Sequence, residues 1–391
     1  MSGVPLLVGY IPLVDAAPLI IAREIGFAEE EGLALTLTAA PSWSTLRDQL
    51  MLGRIEAAHM LFPMPIAAAL GLGGFNTRID ILQVLSHNGN SIGVSRALAD
   101  RMRVAGYGFD FSDARAAGAA LIAAAQGRLR IGVPFPFSMH AEMLYHWLGA
   151  IGLSAPQDLD VHTVPPPLMA EALAADEIDA FCVGAPWGSI AVEMGVGELL
   201  LPGTAIRSNA PEKVLAVRHD WAETEPGLTR RLMRAAWQAG RWLGSERNLL
   251  TAAELLSRRN YLDLPTELIE RALTGNLVIS PRGEMRNVPG YMSFHSGAAG
   301  YPWASQGALV AAKLAARMGL SRNEAMTAAR SICRTDLYTR NLADLDGDLP
   351  EARDKVEGAL DSFGAVPGVQ GQVILPPDAF FDGWIFDPFA D

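Results

Sequence analysis

Cysteine and lysine are both scarce in this chain. Among 391 residues the two cysteines, Cys182 and Cys333, stand far apart, each without a neighbouring ligand pattern. That excludes a disulfide framework and any paired-cysteine zinc or redox site. Both read as small buried hydrophobes at home in a reducing compartment. Of the 31 basic residues only Lys213, Lys313 and Lys355 are lysine, and 43 acidic residues bring the formal net charge to −12. A bare nucleic-acid binder would show a basic stripe, so direct nucleic-acid contact is not expected. No apolar run reaches the ~20 residues that a membrane helix needs. No basic stretch, apolar stretch and cleavage site precede the strand-like run at 4–11, so a soluble, cytoplasmic chain is expected.

Several catalytic motifs are missing too. No GxxxxGK[ST] or complete GxGxxG is present, which removes P-loop phosphoryl transfer and a dinucleotide cofactor. Gly89-Asn90-Ser91-Ile92-Gly93 matches GxSxG formally, but the run continues β-like where a nucleophile elbow needs a helix. His140-Ala141-Glu142 lacks the PCxxC partner of a zinc deaminase. The acidic run at 344–348 lacks EF-hand spacing and reads as a solvated turn. Neither an enzyme, a metal nor a cofactor is expected.

What is present is regular. Half of the residues are hydrophobic and 19% charged, ample for two or three domains at about 150 residues each. Strand-like runs at 6–11, 33–38, 57–60, 79–85 and 91–95 alternate with helical spacing at 16–30, 42–52 and 65–72. A second block alternates helices at 115–126, 138–151, 167–175 and 186–194 with strands at 129–133, 161–164 and 179–183. A strand at 213–218 follows, then helices at 226–243, 249–258, 265–273, 303–318 and 322–335. The stretch 280–301 reads as a long irregular connection. This alternation predicts an α/β architecture with largely parallel sheets.

Ligands of α/β domains bind beyond the carboxyl ends of strands. The loops to consider are therefore 12–15, 41–45, 87–90, 134–140, 184–187 and the approach to 213. Trp43, Asn90, His140, Trp187 and Lys213 lie on or beside them, from both halves of the chain. A ligand held between two lobes accounts for that distribution. In a chain whose habitual cation is arginine, Lys213 at a strand start suggests a need for a compact charge. Lys313 and Lys355 read as ordinary surface-helix lysines, and Trp187 and Trp303 as core.

The segments carrying these residues resemble a known family. Gly9-Tyr10-Ile11-Pro12-Leu13-Val14-Asp15-Ala16-Ala17-Pro18 is similar to the opening of the NrtA/CmpA-type nitrate and bicarbonate solute-binding proteins. The similarity continues in Pro41-Ser42-Trp43-Ser44-Thr45, Ala57-Ala58-His59-Met60-Leu61, His87-Asn88-Gly89-Asn90, Gly184-Ala185-Pro186-Trp187 and Glu212-Lys213-Val214-Leu215. It implies a type II periplasmic-binding-protein-like fold: two α/β lobes around a cleft, with an extra helical C-terminal region. Lobe I would comprise 1–91 and 217–391, and lobe II 92–216. The family's ligand positions fall on Trp43, Ser44, Asn90, His140, Gly184 and Lys213. Asn90 stands where nitrate-binding members carry glutamine. Nitrate or nitrite is the implied ligand: Lys213 would give a charge-assisted contact, while Asn90, His140 and Trp43 donate neutral or switchable hydrogen bonds.

Within that group the chain is similar to the cytosolic nitrate/nitrite sensors of the NasS type. The implied partner is then an ANTAR-domain antiterminator of the NasT type, released when the anion binds. The alternative is the substrate-binding component of an ABC importer for nitrate, nitrite, bicarbonate or a related anion.

Overall fold

The structure, a computed structural model, describes residues 3–74, 77–345 and 347–390. Of the acidic run at 344–348, Asp346 lies outside them. Two mixed sheets organise the chain. Its strands begin with β1 (Val4–Tyr10), β2 (Leu33–Ala39), β3 (Ala57–Leu61), β4 (Ile79–Asn88) and β5 (Asn90–Ser95). Then come β6 (Arg130–Val133), β7 (Asp160–Thr163), β8 (Ala180–Gly184), β9 (Gly197–Pro202) and β10 (Pro211–Arg218). Short strands β11 (Asn276–Val278), β12 (Met285–Asn287) and β13 (Met292–Ser293) precede a hairpin of β14 (Gly364–Gly368) and β15 (Gly371–Leu375).

The larger sheet runs β13-β4-β10-β3-β1-β2 and the smaller β7-β6-β8-β5-β9. β1 is parallel to β2 and β3, and β6 to β7 and β8, whereas β10 and β5 run antiparallel to their neighbours. The central strands β3 and β4 are buried along their whole length, and β10 nearly so. Both faces of the sheet are covered there, and the polar side chains that these strands carry are buried with the apolar ones.

The chain passes from the larger sheet to the smaller at Gly89 and returns over 203–210. The boundaries read from sequence, 91/92 and 216/217, fall inside β5 and β10, because β10 pairs wholly with β3 and β4 in the larger sheet. Gly89 turns with φ +81, and a Cβ there would meet Met292 Cε at 2.4 Å. Asn88 ties the crossing together. Its Nδ2 donates to Ser208 O (3.1 Å) and Gly290 O (3.0 Å), and Ala210 N–H donates to its Oδ1 (2.9 Å).

Several elements differ from the sequence reading. The helix expected at 16–30 splits into Ala17–Glu24 and Phe27–Glu30, because Gly26 adopts φ +100. The helix expected at 322–335 ends at Ile332, and a new one covers Thr335–Leu342. The stretch 280–301 contains β12 and β13, and β13 extends the larger sheet. β9, the β14–β15 hairpin and the arginine-rich helix Arg96–Val104, capped by Ser95, were not legible in the pattern.

One contiguous core spans both lobes, and Cys182 and Cys333 are buried, free thiols within it. Ser91 of the formal GxSxG lies in β5 with its hydroxyl 2.8 Å from that of Tyr291, so it is not an exposed elbow serine. Lys313 and Lys355 are not surface lysines. Lys313 lies over the Trp384 ring at 4.9 Å and the Phe380 ring at 5.3 Å, and burial pushes its ammonium down to about 8. Lys355, outside any helix, pairs with Glu357 at 2.9 Å and with Asp378. No helix among the described residues is long and apolar enough to cross a membrane.

Candidate functional site

Three helical first turns meet where the lobes face each other. Asp15 sits in a short turn, Val14–Ala16, that leads into the helix Ala17–Glu24. Trp43 opens the helix Trp43–Met51, whose cap Ser42 accepts from Thr45 N–H at 3.2 Å. His140 lies in the first turn of the helix Met139–Ala150 from the other lobe, capped by Ser138, which accepts from Ala141 N–H at 3.2 Å. First turns present unpaired backbone N–H groups and the positive end of the helix dipole, a setting that favours negative charge.

Lys213 stands at the centre. Its Nζ lies 2.6 Å from Asp15 Oδ2 and 3.0 Å from Glu212 Oε1, and 5.7 Å from the Trp43 ring centroid. Adjacent residues of a strand ordinarily face opposite sides. Here the register of β10 against β4 shifts on both sides of Lys213, and Glu212 and Lys213 reach the same cluster. Asp15 Oδ1 is 3.0 Å from His59 Nε2, and the His59 and Trp43 rings lie 5.9 Å apart. Glu212 Oε2 accepts from Asn90 Nδ2 at 3.0 Å, and its Oε1 lies 3.2 Å from His140 Nδ1. All these side chains are buried. Val14 N–H donates to Ala185 O (3.0 Å) and Trp187 Nε1 donates to Pro12 O (3.0 Å), so the lobes are closed on one another.

Charge in this space is unevenly held. Burial alone would raise the Asp15 carboxyl, but Lys213 and His59 outweigh it and hold the group at about 2. Burial dominates at Glu212 and, despite Lys213, carries it up to about 7. Burial would lower Lys213, yet the two carboxylates raise it and keep it cationic. Burial pushes His140 well below its ordinary range, helped by the Lys213 charge, and lowers His59 as well, so both rings are neutral.

The residues read from sequence divide as follows. Trp43, Asn90, His140 and Lys213 come together in the cluster. Gly184 forms part of its wall: a Cβ there would lie 3.6 Å from His140 Nε2 and 3.7 Å from Asp15 Oδ2. Ser44 stands apart, half-buried, its hydroxyl 3.0 Å from that of Ser42. The Asn90 amide is turned to Glu212, with its Oδ1 against Gly203. Asp15, His59 and Glu212 were not singled out from sequence. The available signal was their charge or polarity inside otherwise apolar segments.

Trp43 Nε1, His59 Nδ1 and His140 Nε2 are buried without a hydrogen-bond partner among the described residues. Buried polar atoms are ordinarily paired, so three together mark a place for a polar ligand. A metal fits poorly here, because an ammonium already occupies both carboxylates. The one group of metal-ligating side chains brought close among the described residues is Asp80, His219 and Glu223. Arg334 bridges it already, at 2.8 Å from Asp80 and 2.7 Å from Glu223.

Comparison with known proteins agrees with the architecture. The sequence pattern of the NMT1-like family matches residues 3–257. The nitrate/nitrite binding protein NrtA of Nostoc sp. PCC 7120 is 31% identical over 306 residues, 76% of this chain and 67% of that protein. The bicarbonate transport ATP-binding protein CmpC of Synechococcus elongatus is 33% identical over 273 residues, 69% of this chain but 40% of CmpC. The crystal structure of the periplasmic nitrate-binding protein NrtA from Synechocystis PCC 6803 matches with a TM-score of 0.83 at 26% identity, covering 99% of this chain and 96% of that one. The chain thus spans about two thirds of the first relative's length and less than half of the second's. With two α/β lobes closed over a buried polar cluster, it belongs to the NMT1-like family and, within it, to the NrtA/CmpA-type solute-binding proteins, which are not enzymes.

Proposed function

We propose that this chain binds nitrate, or a planar oxyanion like it, between its lobes and serves an ABC-type importer as the solute-binding component. One observation carries the reading: among the described residues three buried ring nitrogens, on Trp43, His59 and His140, are left unpartnered beside the Lys213 ammonium and three helical first turns. Nitrate is flat, monovalent and has only acceptor oxygens. The Trp43 indole N–H can donate to it and the Lys213 ammonium supplies the charge, while a neutral His140 donates from Nε2 in the tautomer that carries its one proton there. Nitrate import is the context named for a further relative, the nitrate import ATP-binding protein NrtC of Synechocystis sp., bicarbonate transport that named for CmpC, and nitrate or nitrite the ligand named for NrtA. We therefore put the importer component ahead of the cytoplasmic sensor that the NasS-type resemblance implies. The sensor with its ANTAR-domain partner stays as a second reading on one ground, the net charge of −12, which suits covering a partner's basic RNA-binding surface.

Calorimetric titration with nitrate, nitrite and bicarbonate tests the main reading, with Lys213→Ala as control. Saturable heat with nitrate or nitrite, lost in the variant, supports it. Binding of bicarbonate alone moves the ligand to the carbon branch, and no heat from folded protein removes the function. Capture of an ANTAR-domain protein by the anion-free chain, released by nitrate, decides for the sensor.

A further inference from the structure

We infer that anion capture in this cleft is coupled to a proton, and that the Glu212 carboxylate is the group that takes it up. This rests on the anion-binding reading above. The geometry sets the requirement. Among the described residues Lys213 is the one cation in contact with the cluster, and it already touches two carboxylates, Asp15 at 2.6 Å and Glu212 at 3.0 Å. With both ionised, the buried cluster carries one negative charge more than positive before any anion arrives. Adding nitrate would place a second uncompensated negative charge among side chains shielded from water, where repulsion is weakly screened and desolvation is not repaid.

A proton removes that obstacle, and the surroundings decide where it goes. Asp15 faces Lys213 on one oxygen and His59 on the other, both of which favour its ionised form. His59 is buried and neutral, and its ring would have to charge beside Lys213. His140, on the helix packed over Glu212, is held neutral by burial and by Lys213. Cys182 on β8 is held protonated by burial, with Glu212 as a further contribution, and Tyr291 likewise keeps its proton. Glu212 differs from all of these. It shares Lys213 with Asp15, its other partners are the neutral Asn90 amide and the neutral His140 ring, and it titrates near neutrality.

Protonation also improves the site for nitrate. Oε2 can keep the Asn90 hydrogen bond while Oε1 becomes a hydroxyl donor, and the Lys213 ammonium keeps Asp15 and gains freedom to contact the anion. The net event is protein plus nitrate plus one proton giving the complex, with no bond broken other than that to the proton donor in solvent. Glu212 would then act as a positioning and selecting residue, its hydroxyl already formed below about pH 7 and formed on anion capture above it.

Calorimetry of nitrate binding at pH 5.5, 7 and 8.5, each in two buffers of different ionisation enthalpy, counts the protons directly in the wild-type chain. The expected result is uptake approaching one proton per nitrate at pH 8.5 and close to none at pH 5.5. Kd should rise about tenfold per pH unit above 7. Glu212→Gln, neutral at every pH, should bind with no proton uptake and a flat pH profile. Nitrate binding to wild type at pH 8.5 without proton uptake overturns the coupling and leaves the anion reading standing. Uptake that persists undiminished in Glu212→Gln overturns the assignment to Glu212. No nitrate binding at any of the three pH values overturns the anion reading, and this inference with it.

Discussion

Glu142 and Arg317 join the two lobes through a forked ion pair two residues beyond His140. Arg317 Nη1 donates to Glu142 Oε2 at 2.9 Å, and Nη2 donates to the other carboxylate oxygen. Glu142 is buried on the helix Met139–Ala150 and Arg317 belongs to the helix Ala304–Met318 of the larger lobe. The helix that brings His140 to the cluster is therefore held across the cleft by a pair of fixed geometry, and the Arg317 guanidinium also lies over the Tyr145 ring at 5.2 Å.

From that relationship Arg317→Gln should loosen closure. The variant leaves a buried carboxylate without its partner, a change that costs several kcal/mol in a fully buried pair and less here, because Arg317 is partly exposed. Nitrate affinity should fall by roughly tenfold, about 1.4 kcal/mol. The radius of gyration from solution scattering in nitrate should move toward that of an opened form. Wild-type affinity in folded Arg317→Gln would show that the pair does not bear on closure.

Lys213→Met removes the ammonium and keeps most of the volume. Asp15 and Glu212 are then left facing each other in the core, and breaking such a buried arrangement costs about 3–5 kcal/mol. We expect the chain to unfold on the order of 5–10 °C lower than wild type. Adding Asp15→Asn should recover much of that loss without restoring anion binding. A melting temperature unchanged by Lys213→Met would mean that the cluster is not closed around the lysine.

Gly184 separates the ligand function from stability. Its Cβ position has an ordinary distance of 3.6 Å to His140 Nε2 and a tighter 3.3 Å to Leu13 Cδ2, an end of a flexible side chain that can yield. Gly184→Ala should therefore fold and bind nitrate several-fold more weakly. Gly184→Val should fold with modest destabilisation and lose binding by a hundredfold or more, since its methyls enter the space between His140 and Asp15. Calorimetry alongside thermal melting reads both, and tight binding by Gly184→Val would put the anion elsewhere.

The site was legible where function follows topology and illegible where local geometry breaks a rule. Trp43, Asn90, His140, Gly184 and Lys213 lie near the ends of strands or the starts of helices, and the α/β alternation alone points there. Glu212 was hidden by its neighbour. In a regular strand it would face away from Lys213, and only the shifted register of β10 turns both toward the cleft. Asp15 stands in an otherwise apolar segment, with nothing in the sequence to show that it would ion-pair with a lysine some two hundred positions later. Lys313 shows the same limit. Its burial depends on Phe380 and Trp384 from the far end of the chain, whose return across Lys313 and His146 no periodicity announces.

That returning segment makes acid stability a test of the closed arrangement. His146 lies on the His140 helix with its ring 4.6 Å from that of Phe380 and its Nε2 3.2 Å from Asp382 Oδ1. Burial, reinforced by the Lys313 charge and opposed by Asp382, lowers its pKa to about 4. The unfolded chain therefore binds more protons than the native one between about 6.5 and 4. Stability is full above the unfolded value and falls as pH drops through that window, at up to about 1.4 kcal/mol per unit for one such group. His87, lowered to about 3 by burial, has the same sign and acts over a wider range. Glu212 has the opposite sign and offsets part of the slope from about 7 down to its ordinary value near 4.5. We expect the urea midpoint to fall from pH 7 to pH 4.5 in wild type, and to fall less in His146→Gln, whose side chain stays neutral. The variant should start lower at pH 7, having lost the ring contact with Phe380. An equal fall in both proteins would mean that the His146–Asp382 contact does not exclude the proton, and that the end of the chain is not seated on the helix that carries His140.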